Sequence, residues 1–182
     1  MTGPLGTSLG VGVDENTALV IYDVGETSQL GEVLGASGVL FVDLSKSTVS
    51  TVRNQWAINN VISSYLTDGD TYAFNGNKVN FATWKLNLQG REYYNDAITS
   101  NDIFCNPDKV IRNNREFAKV TRRLYDNRRD VTTYGDTDEN LPRFRVNVDK
   151  SVGGSYGFGG YHAVNGNFYV SFTGLDTDIA AT

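Results

Sequence analysis

The chain has 182 residues, 40% hydrophobic and 12% aromatic, enough for a packed core and too apolar for a disordered segment. Lysine and arginine number 16 against 21 acids, and the net charge of −5 argues against a generally basic nucleic-acid binder. One cysteine, Cys105, and one histidine, His162, exclude an internal disulfide framework and a cysteine-based zinc site.

The opening MTGPLGTSLG has no Lys or Arg and no apolar h-region, so it does not read as a secretory signal. No apolar run approaches the ~18–20 residues of a membrane span. Residues 9–13 and 18–22 are apolar, β-rich runs that flank Asp14-Glu15-Asn16 and read as strands of a buried sheet. VGETSQLGE and LGASG carry turn chemistry. Residues 39–44 lie in GVLFVDL, nearly continuous in apolar character, as in a strand buried on both faces. Residues 55–66 suggest a long half-buried strand, bulged at Asn59-Asn60, and TDGDT then turns the chain towards YAF. ATWKLNLQG reads as one more strand.

Residues 107–129 read as the main helix. Asn106 suits its N-cap, Pro107 its first position and Asp108 its positive end. Val110, Phe117, Val120 and Leu124 recur on one face, and Arg128 and Arg129 suit the negative end. The chain is then polar and turn-rich up to Pro142. RFRVNV alternates, with Phe144, Val146 and Val148 on one face. Residues 153–174 resemble a β-hairpin around the two-residue turn Asn165-Gly166, and the terminal DTDIAAT is expected to fray.

Several motifs carry two readings. GTSLG matches the G-x-S-x-G nucleophile elbow with Ser8 as nucleophile, but an elbow needs a strand before it and a helix after it. The plainer reading is a flexible entry into the first strand. Cys105, at a helix start, and His162 could be imagined as a thiol-protease pair, yet nothing in the spacing brings them together. GSYGFGG lacks the Lys-Ser/Thr of a phosphate loop. Asp68 and Asp70 in TDGDT can hold a hydrated cation or simply form the turn. Residues 108–130 carry eight bases (Lys109, Arg112, Arg115, Lys119, Arg122, Arg123, Arg128, Arg129) and four acids (Asp108, Glu116, Asp126, Asp130), locally +4. That stretch suits an acidic partner or a polyanion, or a solvated face laced by i, i+4 pairs. Asp14, Glu15 and Asn16 can orient the histidine of a hydrolytic triad or cap the next segment through an Asx-type turn.

LGVGVDENTALVI, followed by GEVLGASGVLFVDLS and VISSYLTDGDTYAF, resembles the C-terminal half of the cyanophycinase-like serine peptidases, the family that includes dipeptidase E. The similarity covers roughly residues 8–75. It implies the C-terminal part of a flavodoxin-like three-layer α/β domain over residues 1–80. Residues 81–182 would then be a β-rich extension with one helix at about 107–129. It implies hydrolysis of acidic or β-aspartyl peptides by a serine, a histidine and a glutamate, with no cofactor. Glu15 matches the triad acid, and Asp14, Asn16 and Thr17 belong to its supporting turn.

In the family pattern the elbow and the histidine precede this block by more than the 13 residues before Asp14. Ser8 lies too near the block and His162 on its wrong side. The expectation is therefore a chain inactive alone, whose partner is an N-terminal portion or second chain supplying the nucleophile and histidine. The alternative is a non-catalytic β-rich protein that binds or self-assembles as a homo-oligomer. Neither nucleic acid nor membrane is an expected partner.

Overall fold

The computed structural model describes residues 7–104 and 115–182. Cys105 and the helix-start features at Asn106, Pro107, Asp108 and Val110 lie outside the described residues. Among the described residues the chain is strand-rich with a single helix, and every pairing between named strands is antiparallel.

Two long strands, β6 (Gln55–Thr67) and β13 (Phe168–Ala181), lie side by side at the centre of the larger sheet. The other edge of β6 is shared by β4 (Gly38–Asp43) and β5 (Thr48–Val52). The other edge of β13 is shared by β12 (Tyr156–Tyr161) and β11 (Phe144–Asp149). β1 (Leu9–Val13) extends the sheet beyond β4, β10 (Thr132–Asp136) extends it beyond β11, and β9 (Leu86–Asn87) pairs with β12. A smaller sheet has the order β2 (Thr17–Tyr22), β3 (Leu30–Gly35), β7 (Thr71–Ala73), β8 (Lys78–Asn80).

Period-two alternation on β4 and β6 builds two cores from one sheet. Val39, Phe41 and Leu66 meet Val33, Tyr72 and Val79 of the small sheet. Phe41 stacks on Tyr72 with ring centroids 4.0 Å apart. Leu40 and Tyr65, a directly opposed pair, face the other way. There Tyr65, Val146, Val148, Val170, Phe172 and Leu175 pack against helix α1 (Glu116–Tyr125). Tyr125 of that helix stacks on Phe172 at 4.7 Å.

The register of β6 on β13 slips between Val61 and Ile58, a bulge at Asn59-Asn60 with Asn60 at φ 59°. That is where the sequence placed one. A second slip, between Phe172 and Leu175, contains Gly174 at φ 72°. A side chain there would meet the Gly154 carbonyl at 2.6 Å.

Four local expectations change. The runs at 9–13 and 18–22 form strands but not the interior of a buried sheet; β1 and β2 are edges of different sheets, with Val11, Val13, Ile21 and Tyr22 exposed. The terminal DTDIAAT does not fray, because residues 176–181 are bonded to β11. Residues 132–136 form a strand within the polar stretch, held by Gly135 close against Ile103 and by the Asp136–Arg145 pair. The hairpin of β12 and β13 exists, but His162 and Asn167 close a four-residue loop around Asn165-Gly166 rather than a two-residue turn.

Arg145 forks onto both Asp136 oxygens at 2.7 and 2.9 Å and stacks on Tyr134 at 3.9 Å. Hydrogen bonding to Arg145 holds the Asp136 carboxyl below its usual value. An acid whose folded pKa is depressed contributes stability above its unfolded value and loses it as pH falls through the folded one. Arg145→Met should therefore cost about 0.5–1 kcal/mol at neutral pH. Urea titrations should show that difference shrinking below the ordinary aspartate range. A difference that stays constant down to pH 2 would mean that the pairing is not its cause.

Candidate functional site

The acid turn joins the two sheets. Asp14 leaves β1 with its N–H donating to the Gly38 carbonyl at 3.0 Å, and its Oδ2 accepts from the Tyr65 hydroxyl at 2.6 Å. Burial, then this bond to a carboxylate, raises the Tyr65 phenol well above its ordinary value. Asn16 turns the chain at φ 57°, and its carbonyl accepts from the Ala36 N–H at 2.9 Å. Thr17 Oγ1 accepts from the Ser37 N–H at 3.1 Å. The facing Gly35 has φ 134°, and a Cβ there would stand 2.4 Å from the Asn16 carbonyl. Asp14, Asn16 and Thr17 are thus occupied in holding DENT onto GASG. Glu15 is exposed.

The other candidates lie elsewhere. Ser8 is exposed and precedes β1, and its carbonyl accepts from the Leu44 N–H at 2.9 Å; a strand rather than a helix follows it. His162, in the β12–β13 loop, has Nε2 3.5 Å from Asp68 Oδ2 and lies edge-on to Trp84 at 5.3 Å. Its Nδ1 is buried without a hydrogen-bond partner. Asp68 in turn accepts from the Gly35 N–H at 2.8 Å. The acid facing His162 is therefore Asp68. Among the described residues no hydroxyl is hydrogen-bonded to that imidazole.

A second cluster is fully inside. Lys85 Nζ is 2.7 Å from Asp70 Oδ1, with neither side chain exposed. It also donates to Thr67 Oγ1 at 2.8 Å, to the Thr67 and Asp68 carbonyls at 3.2 and 3.0 Å, and to Ser171 Oγ at 3.2 Å. Asp70 accepts from the Thr67 and Ala82 N–H groups at 2.9 and 2.8 Å. Burial pulls the Lys85 ammonium below its ordinary value, and Asp70 works against that. Lysine beside serine is the composition of a nucleophilic pair. With an ion-paired lysine and both residues enclosed, it acts here as a lock between the β6–β7 turn, the segment before β9, and β13. In the sequence Asp70 reads as a turn former or, with Asp68, as a holder of a hydrated cation; the structure pairs it with Lys85. Lys85 precedes β9 in the ATWKLNLQG stretch that reads as one more strand, and nothing local to it marks a lysine for burial.

The basic helix presents the third feature. Its Ala118, Val120, Thr121, Leu124 and Tyr125 are buried. Arg115, Lys119, Arg122 and Arg123 line a groove of about 440 Å³ against Tyr94, Ile98, Asp126, Phe168 and Val170. Arg128 and Arg129 lie past the helix end rather than in its last turn. Arg129 pairs with Asp96 at 3.2 Å. Burial raises the Asp126 carboxyl against the Tyr93 N–H it accepts and the nearby Arg123 charge. No cluster of three or more His, Cys, Asp or Glu suited to a metal occurs among the described residues. No described helix is long and apolar enough to cross a membrane.

No protein-family model matches the chain, and no solved structure matches it.

Lys85→Met should destabilise the protein by about 3–5 kcal/mol, because it leaves Asp70 charged and buried without its counter-ion. Adding Asp70→Asn should recover part of that loss. Chemical denaturation of the two single variants and the double variant measures the coupling. Additive losses would show that the two groups do not act as a pair.

Proposed function

We propose that this chain is the C-terminal portion of a cyanophycinase-like serine exopeptidase acting on acidic or β-aspartyl peptides, and that Glu15 is the acid of its Ser-His-Glu triad. The observation that supports the reading is the fixed geometry of the DENT turn. Asp14, Asn16 and Thr17 tie it to Tyr65, Ala36 and Ser37, and Glu15 sits on it at an exposed position. A triad acid works by holding and polarising a histidine, so it must face the element that carries one. The outer edges of β1 and β2, with exposed Val11, Val13, Ile21 and Tyr22, suit further strands from an N-terminal portion or a partner chain. In this reading residues 1–80 derive from a flavodoxin-like domain. Ser8 and His162 stand apart from Glu15 in role, so the chain alone is inactive.

A second reading, a non-catalytic β-rich protein that self-assembles, is favoured by β5. All five of its residues are exposed, it has β6 as its named partner strand, and Trp56 beside it is 68% exposed. Solution mass separates the two, since self-assembly requires oligomers of this chain alone.

Peptidase activity on a β-Asp-Arg dipeptide tests the first reading. The 182 residues alone should give no turnover, and activity should appear with an N-terminal portion carrying a Gly-x-Ser-x-Gly elbow and a histidine. Glu15→Gln should then lower kcat by on the order of 10³–10⁴. An unchanged rate would remove Glu15 from the mechanism. Turnover by this chain alone, lost in Ser8→Ala, would overturn the reading.

A further inference from the structure

The groove along α1 poses an electrostatic problem that the peptidase reading does not address. The chain has more acids than bases, yet Arg115, Arg122 and Arg123 converge there with no carboxylate of the described residues in ion-pair contact. Each is instead anchored by a neutral acceptor. Arg115 donates to the Ser37 hydroxyl, Arg122 to the Phe168 carbonyl at 3.3 Å, and Arg123 to the Asp96 carbonyl at 2.9 Å. Arg123 is also flattened on the Tyr94 ring at 3.3 Å. A guanidinium has five N–H donors, so an anchor of this kind fixes the side chain while using only part of its fork. Such prepositioning lowers the ordering cost of binding an oxyanion.

The charge count defines the ligand. Among the described residues four cations line the groove against one carboxylate, Asp126, and Lys119 is partly answered by Glu116 at 3.1 Å. The surplus is two to three positive charges around a groove of about 440 Å³. An extended acidic peptide places same-side carboxylates roughly 6.8 Å apart, so one or two fit. A polyphosphate concentrates more charge in less length and matches the guanidinium forks. Beside the cations, Phe168 is 37% exposed, so an organic group has an aromatic surface to meet.

We propose that this groove is a binding site for a polyphosphate group, held by Arg115, Arg122 and Arg123. It is independent of Glu15. Two sources share that chemistry, inorganic polyphosphate and the polyphosphate of a nucleotide.

Isothermal titration of the full chain with inorganic tripolyphosphate, ATP and tetra-aspartate tests the proposal. Tripolyphosphate and ATP should both bind, and raised salt should weaken both. ATP at least tenfold tighter assigns the nucleotide, with its organic part on Phe168; equal affinity assigns the inorganic source. Arg122→Gln with Arg123→Gln should weaken binding at least tenfold. Lys119→Gln, at a largely exposed side chain, provides a variant that keeps the fold and should weaken binding several-fold. Tetra-aspartate binding more tightly than tripolyphosphate would overturn the assignment in favour of an acidic peptide. No binding by either phosphate probe, or affinities unchanged in these variants, would overturn the site.

Discussion

Most of the large sheet hangs on the ladder between β6 and β13. Each strand is long enough to offer one edge to the other and divide its outer edge between two further strands. The ladder is unusually polar for a buried centre. Ser63 meets Thr177 at 3.3 Å, Ser64 meets Thr173 at 2.9 Å, and Thr67 meets Ser171 at 2.7 Å. A one-residue slip would separate these pairs and leave buried hydroxyls unmet, which is costly. The pairs therefore favour one register over its neighbours.

At the Thr67 end the hydroxyl row terminates on Lys85 and Asp70. Replacing such an ion pair by apolar groups can be neutral for stability, but losing one partner is not. Its geometric effect is definite. Asp70 shapes the turn after β6, and that turn bonds to Val33 of β3 through Gly69 and Asp70. Asp68 of the same turn bonds to Gly35, which faces the acid turn. Glu15 thus stands on a turn braced from the buried lysine outward, through a chain of short hydrogen bonds.

Parts of this arrangement were legible from local pattern. The Asn59-Asn60 bulge, the TDGDT turn, the alternating RFRVNV strand and the inward Val120 and Leu124 follow from periodicity and turn chemistry. The pattern misled where distant partners decide. An acidic, Ala-rich tail looks loose, yet residues 176–181 find β11 on one side, and residues 176, 177 and 179 find β6 on the other. Lys85 is a cation in a stretch that reads only as one more strand, yet it is buried because Asp70, Thr67 and Ser171 surround its ammonium.

By itself the sequence determined a strand-rich chain with one amphipathic helix, an acid turn between two β runs, and a basic stretch within an acidic whole. Those properties depend on neighbours within a few residues, through the periods of strand and helix and the torsions of turn residues. Only the tertiary structure decided that β1 and β2 belong to different sheets, that Asp14 accepts from Tyr65, that Glu15 is exposed, and that His162 meets Asp68. It also decided that three arginines converge on one groove with no ion pair to a carboxylate of the described residues. Each depends on groups far apart in the chain, whose meeting is set by which strand edges pair and which charges can be buried together.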